Sequence, residues 1–357
     1  MLEILRQASY SLINVTISAL LLLAIGCSSN KDTQQPQDFS NVARTSVENL
    51  QQVVDPRNTI ISSVAAMDIL PNGNLAILDS DQKKVMLFHP DGTRYNAFGS
   101  NGKGPGEFVA PRGLDIHNST IRILDVELMR VNQYSKNGKF IQNYDTEPEA
   151  SFFGFVAPGD SMEYYTVANG YNGSLVGYHN ATTDSVGYFG DAIIKNPPPV
   201  NDQKAFKTSA ANGEIPKPMS NDLLMDYAEG SLYAFLKAHS RLQKYRGGQL
   251  LWDIKINHPA NQHIFDRYIE NVQSGPSAFA LPRYIDGMKA TQNNVYLLWN
   301  SNPQTIVQVS KKGEIQQVYE LPAFKERSFS ALAVDPDTNR LYLSDYSNAQ
   351  VFAFLLN

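Results

Sequence analysis

A strand-length pattern recurring along most of the chain limits its fold more than any other feature. Each unit holds short apolar or alternating segments separated by Gly, Asn or Asp turns. The clearest unit opens with Gly102-Lys103-Gly104-Pro105-Gly106-Glu107-Phe108 and Pro111-Arg112-Gly113-Leu114-Asp115. It continues through Thr120-Ile121-Arg122-Ile123-Leu124-Asp125, Arg130-Val131-Asn132-Gln133-Tyr134 and Asn137-Gly138-Lys139-Phe140-Ile141. An earlier unit carries Leu75-Ala76-Ile77-Leu78-Asp79 and Val85-Met86-Leu87-Phe88, with turns at Pro71-Asn72-Gly73 and Pro90-Asp91-Gly92. Two more lie between Arg283 and Leu321 and between Ala331 and Phe354, and two weaker ones run from Phe152 to Gly190 and from Leu223 to Ile256, which makes six. Four short strands cannot bury both faces alone, so such units must stack on one another.

The last unit offers only three strands before the chain ends at Asn357. The segment Thr45 to Val54 is strand-like in length and otherwise unassigned. Pairing it outside the last unit supplies the fourth strand and removes an unpaired edge. A helix through Val47-Glu48-Asn49-Leu50 is the alternative.

The run from Gly102 to Asp115 closely resembles the opening of an NHL repeat, and the chain as a whole is similar to NHL-repeat and TolB-like six-bladed propeller lipoproteins. That resemblance implies an all-β, six-bladed β-propeller of four-stranded antiparallel blades, closed by the N-terminal strand. Inner strands would line a central channel, and the links between blades would share one face. Such propellers host enzymes, scaffolds and ligand binders alike, so fold is implied more sharply than function.

The N-terminus differs in kind. Arg6 precedes a mostly apolar run from Leu12 to Gly26 that ends Leu21-Leu22-Leu23-Ala24-Ile25-Gly26-Cys27. Residues 1–26 read as a signal peptide. Its end resembles the lipobox of bacterial lipoproteins, which implies lipidation of Cys27; Ala24, where that family usually has Leu, departs from the pattern. An uncleaved anchor with an incidental Cys is the competing reading. Cys27 is the only cysteine, so the rest of the chain has no internal disulfide and no thiolate metal site. Residues 27–43 are expected to be a polar tether and residues 44–357 the propeller. The expected address is the bacterial cell envelope, anchored to a membrane through lipid. The absence of Asp directly after Cys27 implies the outer membrane by resemblance.

Thirty Lys and Arg against 35 Asp and Glu give a net charge of -5, and no basic tract is present. That argues against nucleic acid as a partner, which needs clustered positive charge. Two insertions, at about 191–221 and 257–282, fall in links on one face. The first contains Pro197-Pro198-Pro199 and Pro216-Lys217-Pro218 and is expected to be irregular. The second has Ile264, Tyr268 and Val272 at helical spacing, with Pro259 in the expected first turn. They either form a recognition surface or pad irregular blades.

The links Pro111-Arg112-Gly113-Leu114-Asp115 and Pro282-Arg283-Tyr284-Ile285-Asp286 share a signature that sets Arg112 and Arg283 near the channel mouth. Two guanidinium groups there suit a carboxylate or phosphate; a salt bridge between blades, or plain solvent exposure, is the alternative. Phe152, Phe153 and Phe329 hold comparable positions, where an aromatic stacks on a sugar or peptide or simply packs a blade. Asp68, Asp115, Asp226, Asp286 and Asp335 recur near inner-strand ends. They are expected to cap turns, a carboxylate ring for a cation being the alternative. Asp79, Asp125 and Asp345, at second-strand ends, invite the capping reading too.

No His-Glu-x-x-His pattern, nucleophile elbow or phosphate loop is present, so no catalytic residue is assigned. The resulting expectation is a binding propeller for a glycan, peptide or envelope protein. A metal-dependent lyase or lactonase, with a divalent cation in the channel as its cofactor and His117 near it, is the enzyme alternative. A purely structural envelope scaffold is the third.

Overall fold

The computed structural model describes residues 39–54, 60–147, 150–156, 159, 162–274 and 280–356; side chains of 150–154 and 168–169 lie outside that description. Six antiparallel sheets surround one axis. Blade 1 comprises Val64–Ile69, Leu75–Asp79, Lys84–Phe88 and Arg94–Phe98, and blade 2 comprises Pro111–His117, Thr120–Asp125, Arg130–Ser135 and Phe140–Asp145. Blade 3 runs Ala150–Val156, Met162–Val167, Ser174–Asn180 and Ser185–Asp191, and blade 4 runs Leu223–Ala228, Ser231–Leu236, Arg241–Arg246 and Gln249–Lys255. Blade 5 is Ile285–Ala290, Asn294–Trp299, Thr305–Ser310 and Ile315–Glu320. Blade 6 takes three strands from the C-terminal end, Phe329–Asp335, Arg340–Asp345 and Gln350–Leu355.

Its fourth strand is Gln51–Val54, antiparallel to Gln350–Leu355 with Gln51 opposite Ala353. Closure by an N-terminal strand is therefore as expected, and the Val47–Leu50 helix does not form. A further strand, Ala43–Ser46, runs parallel to Ile315–Glu320 and makes blade 5 five-stranded. The N-terminal strap thus covers the outer edges of two adjacent blades. Phe39, placed by sequence in the tether, is 5% exposed and packs edge-on against His258, their ring centres 5.0 Å apart. His258 in turn stacks on Trp299 at 4.8 Å.

Five seams between neighbouring blades bury continuous apolar clusters. The Leu75–Leu78, Leu232–Leu236 and Val295–Trp299 strands are buried on both faces, which is why they read as unbroken apolar runs rather than alternating ones. Among the described residues the seam between blades 2 and 3 is different. It buries Arg122 and, opposite it, Gln133, and Tyr144 of blade 2 donates to the Glu163 carboxylate of blade 3.

Asp79, Asp125 and Asp345 cap turns as expected. Asp125 accepts from Glu127 and Leu128 amides at 3.1 Å and from Val109 at 2.7 Å, fastening the turn after its strand to the link before the blade. Asp79 does the same through Asp81, Gln82 and Ser62.

The insertions pack on each other. The first, expected to be irregular, contains helix α1, Gln203–Ala211, N-capped by the Asp202 side chain on Ala205 N at 3.1 Å. The second contains α2, Asn261–Ser274, whose buried residues are Ile264, Tyr268 and Val272 as the spacing predicts; Pro259 precedes the helix instead of entering its first turn. Phe206 and Ala210 of α1 meet Tyr268 and Val272 in a small core of their own.

Candidate functional site

Every inner strand starts on the insertion face, so residues at equal distance from the turn into the second strand sit at equal depth. Strand register shows this directly: Asp115 faces Arg122, Val156 faces Tyr164, Asp226 faces Tyr233, Lys289 faces Tyr296 and Ala333 faces Tyr342, each partner being third in its strand. Asp68, opposite Ala76, is the blade 1 counterpart. One tier of the ring is therefore Asp68, Asp115, Val156, Asp226, Lys289 and Ala333. The next tier towards the mouth, one residue earlier, is Met67, Leu114, Phe155, Met225, Met288 and Leu332. It is apolar in all six blades.

All of these residues except Ala333 line a central cavity of about 800 Å³, with Arg112, Arg283, Glu127 and Asp286 around its upper wall. Rim, waist and floor thus differ in chemistry.

At the floor, Lys289 Nζ lies 2.7 Å from Asp68 Oδ1 and 3.6 Å from Asp226 Oδ2. Asp226 also accepts from the Ala290 amide of blade 5 at 2.6 Å and from its neighbour Tyr227 at 2.8 Å. Burial pulls the Lys289 ammonium down, but Asp226 and Asp68 more than reverse this, so the lysine stays charged. Burial pushes Asp226 up against the opposing pull of Lys289. Asp115 is raised to about 7, first by burial and then by the Asp68 charge. Behind it, burial raises Glu163 to about 7 despite the Arg122 guanidinium.

The capping expected of the inner-strand aspartates therefore holds for Asp335, which accepts from Asp337 N at 3.0 Å and Thr338 Oγ1 at 2.6 Å. It does not hold for Asp68, Asp115 and Asp226, which line the channel; each stands one or two residues before its strand ends. Asp286 is second in its strand and sits at the rim, bonded to Arg283 Nε at 2.7 Å and Gln304 Nε2 at 2.8 Å. Lys289 was not singled out from sequence. Its signal is the register alignment: it occupies in blade 5 the position that Asp occupies in blades 1, 2 and 4.

Of the residues proposed from sequence, Arg112 and Arg283 do converge on one cavity, and both are exposed. Arg283 is ion-paired within its own link to Asp286 and not across blades, as the salt-bridge alternative had it. Phe329 does not reach the channel. It is 1% exposed, packs edge-on to Phe352 at 6.3 Å, and lies in the seam between blades 5 and 6. A bulge between Phe329 and Ala331 shifts the register there, and the cavity wall begins with Ser330. Phe152 and Phe153 stand on the blade 3 inner strand with side chains outside the described residues, and Cys27 also lies outside them.

The enzyme alternative calls for a channel cation. The residues do not fit one: the Lys289 ammonium already stands between Asp68 and Asp226, and among the described residues no group of three or more His, Cys, Asp or Glu side chains is placed to hold a metal ion. The histidines are dispersed: His179 pairs loosely with Glu147 and Asp184, His239 bonds the Ser220 carbonyl, and His258 is buried beside Trp299 and pushed down to about 3 by that burial.

Ring, tiers and strap together define a six-bladed β-propeller with a stratified channel. The DUF5128 family, described as a 6-bladed beta-propeller, matches residues 57–211. Among solved structures, a Bacteroides fragilis protein described as exported aligns with a TM-score of 0.58 at 11% identity, covering 88% of this chain and 99% of its own. A Bacteroides vulgatus member of the duf4221 family gives 0.53 at 14% identity over 86% and 95%. A catalytically inactive virginiamycin B lyase from Staphylococcus aureus, with quinupristin, gives 0.51 at 12% identity over 87% and 99%. At these identities the likeness extends to fold alone. No curated protein sequence matches the chain. Among the described residues no helix is long and apolar enough to cross a membrane.

Proposed function

We propose that this chain is an exported binding propeller, tethered to the cell envelope through lipid on Cys27, that takes an anionic ligand at its channel mouth. One observation carries the reading: Arg112 and Arg283, from blades 2 and 5, reach the same cavity at its insertion-face end. Blades 2 and 5 lie across the ring from each other, so the guanidinium groups flank the opening. Each offers forked donors suited to a carboxylate or phosphate. Arg283 is held in place by Asp286, which orients a donor set without covering it. The NHL-like character of blade 2 and the lipobox-like ending Ile25-Gly26-Cys27 support the family and address.

Calorimetric titration of succinate and of inorganic phosphate into the purified full-length chain tests the mouth. Both R112Q and R283Q should weaken binding, and the double variant should abolish it. Failure of either anion to bind the wild type would remove the reading. Incorporation of labelled palmitate into the wild type and not into C27S tests the anchor separately.

The enzyme alternative has one observation behind it, a channel carboxyl at Asp115 held near neutral pH, where proton transfer works best. The floor lysine argues for a charge-neutralising role instead, since its ammonium stands between Asp68 and Asp226.

A further inference from the structure

Five seams close on apolar clusters, whereas the seam between blades 2 and 3 closes on polar and charged groups. Arg122, 1% exposed, stands opposite Asp115 on the inner strand and Gln133 on the third. Gln142 donates to Gln133 at 2.9 Å, and Tyr144 donates across the seam to Glu163. His179 faces Glu163 from the next strand of blade 3 and lies 3.6 Å from Glu147 and 3.5 Å from Asp184 at the outer edge. On its channel side Asp115 feels Asp68, Asp226 and Lys289. One set of ionisable groups thus runs from the channel floor into the seam.

Its charges balance in one protonation state. Lys289 and Arg122 supply two positive charges, and Asp68 and Asp226 supply two negative ones. The sum is zero while Asp115 and Glu163 keep their protons. Each proton they release adds a negative charge inside the structure that no further cation meets. Burial is the largest cause holding both carboxyls up, each to about 7, and the Arg122 guanidinium opposes it at both. Admitting water between the two faces relieves such a charge, whereas the same step costs an apolar seam its driving force.

We propose that the seam between blades 2 and 3 is a proton-held latch, shut while Asp115 and Glu163 are protonated and parting when both ionise, with the other five seams intact. The strand Pro111–His117 carries Arg112 to the rim three residues before Asp115, so parting the latch also moves one wall of the mouth. The latch operates whatever the mouth binds.

Two buried valines report the two kinds of seam. Val131 is fully buried on the blade 2 face that carries Tyr144, and Val307 is fully buried between blades 4 and 5. V131C and V307C, each combined with C27S so that the introduced thiol is the only one, are labelled with iodoacetamide at pH 6 and pH 8. Each rate is divided by that of free cysteine at the same pH, which removes the thiol's own ionisation. The V131C rate should rise about tenfold or more from pH 6 to pH 8, and at pH 8 it should exceed the V307C rate by about the same factor. Adding D115N and E163Q, which keep the shape of the protonated carboxyls, should abolish the rise. Thermal melts at pH 6 identify the variants that fold as the wild type does; if the one with both carboxyls replaced does not, the contrast between V131C and V307C still decides. No rise in V131C overturns the latch. Equal rates for the two thiols at pH 8 mean that the ring opens as a whole, and a rise that survives D115N with E163Q means that other groups drive it; either result overturns the latch as well.

Discussion

Lys289 Nζ lies 2.7 Å from Asp68 Oδ1, and the same ammonium lies 3.6 Å from Asp226, so one side chain of blade 5 ties blades 1 and 4 across the axis. Three points of the ring share a single charge. The contact converts a channel that would repel itself into one that holds its walls together.

K289M keeps most of the apolar stem and deletes the charge. Asp68 and Asp226 then face each other with no cation between them, at a cost of about 3 kcal/mol at neutral pH. The loss in urea denaturation should shrink at lower pH as the carboxyls take up protons, and adding D68N should recover part of it. An unchanged urea midpoint for K289M would show that the floor is solvated rather than paired.

Asp115 and Glu163 are both raised by burial, from 3.8 and 4.5 respectively to about 7. Between those limits the folded chain holds protons that the unfolded chain has released. Their contribution to stability is therefore full below the unfolded values and is lost as pH rises through about 7. Denaturation midpoints should fall from mildly acidic to mildly alkaline pH, and D115N with E163Q should flatten that slope. A slope unaltered in the double variant would place its origin elsewhere.

The strap is fastened at two points. Phe39 is wedged against His258, and F39A should cost about 3 kcal/mol, as for other buried aromatic deletions. Gly92 has φ +86, and a Cβ there would stand 1.8 Å from the Val53 carbonyl oxygen. G92A should therefore displace Gln51–Val54 from blade 6. Hydrogen exchange is the readout: Val351 and Ala353 amides should lose protection in G92A, whereas blade 3 amides should not.

Helices α1 and α2 bury their apolar faces mainly in each other. Y268A should release them, with faster amide exchange across Asn261–Ser274 and a thermal midpoint for the blades that barely moves. Global unfolding in Y268A would mean that the insertion pair belongs to the ring's core.

Much of this was legible beforehand, for local reasons. Turn residues such as Pro71-Asn72-Gly73 and strand-length apolar runs such as Leu75–Leu78 announce themselves within a few residues. The α2 face at Ile264, Tyr268 and Val272 follows from helical spacing alone. Helix α1 was hidden because prolines flank it and only Phe206, Ser209 and Ala210 are buried, too short a stripe to stand out. Phe329 was misplaced by one position: opposite Asp345 it matches Pro111 opposite Asp125 rather than Arg112, a register that only strand pairing reveals.

By itself the sequence determined the six repeating units, the need for a borrowed strand and the two arginine-bearing links, since each depends on periodicity or turn chemistry inside one unit. Only the closed ring decided which charges meet. Asp68, Asp226 and Lys289 are distant in the chain, and the lysine is unremarkable in its own strand. They become a site because circular stacking brings equal register positions to one depth around one axis.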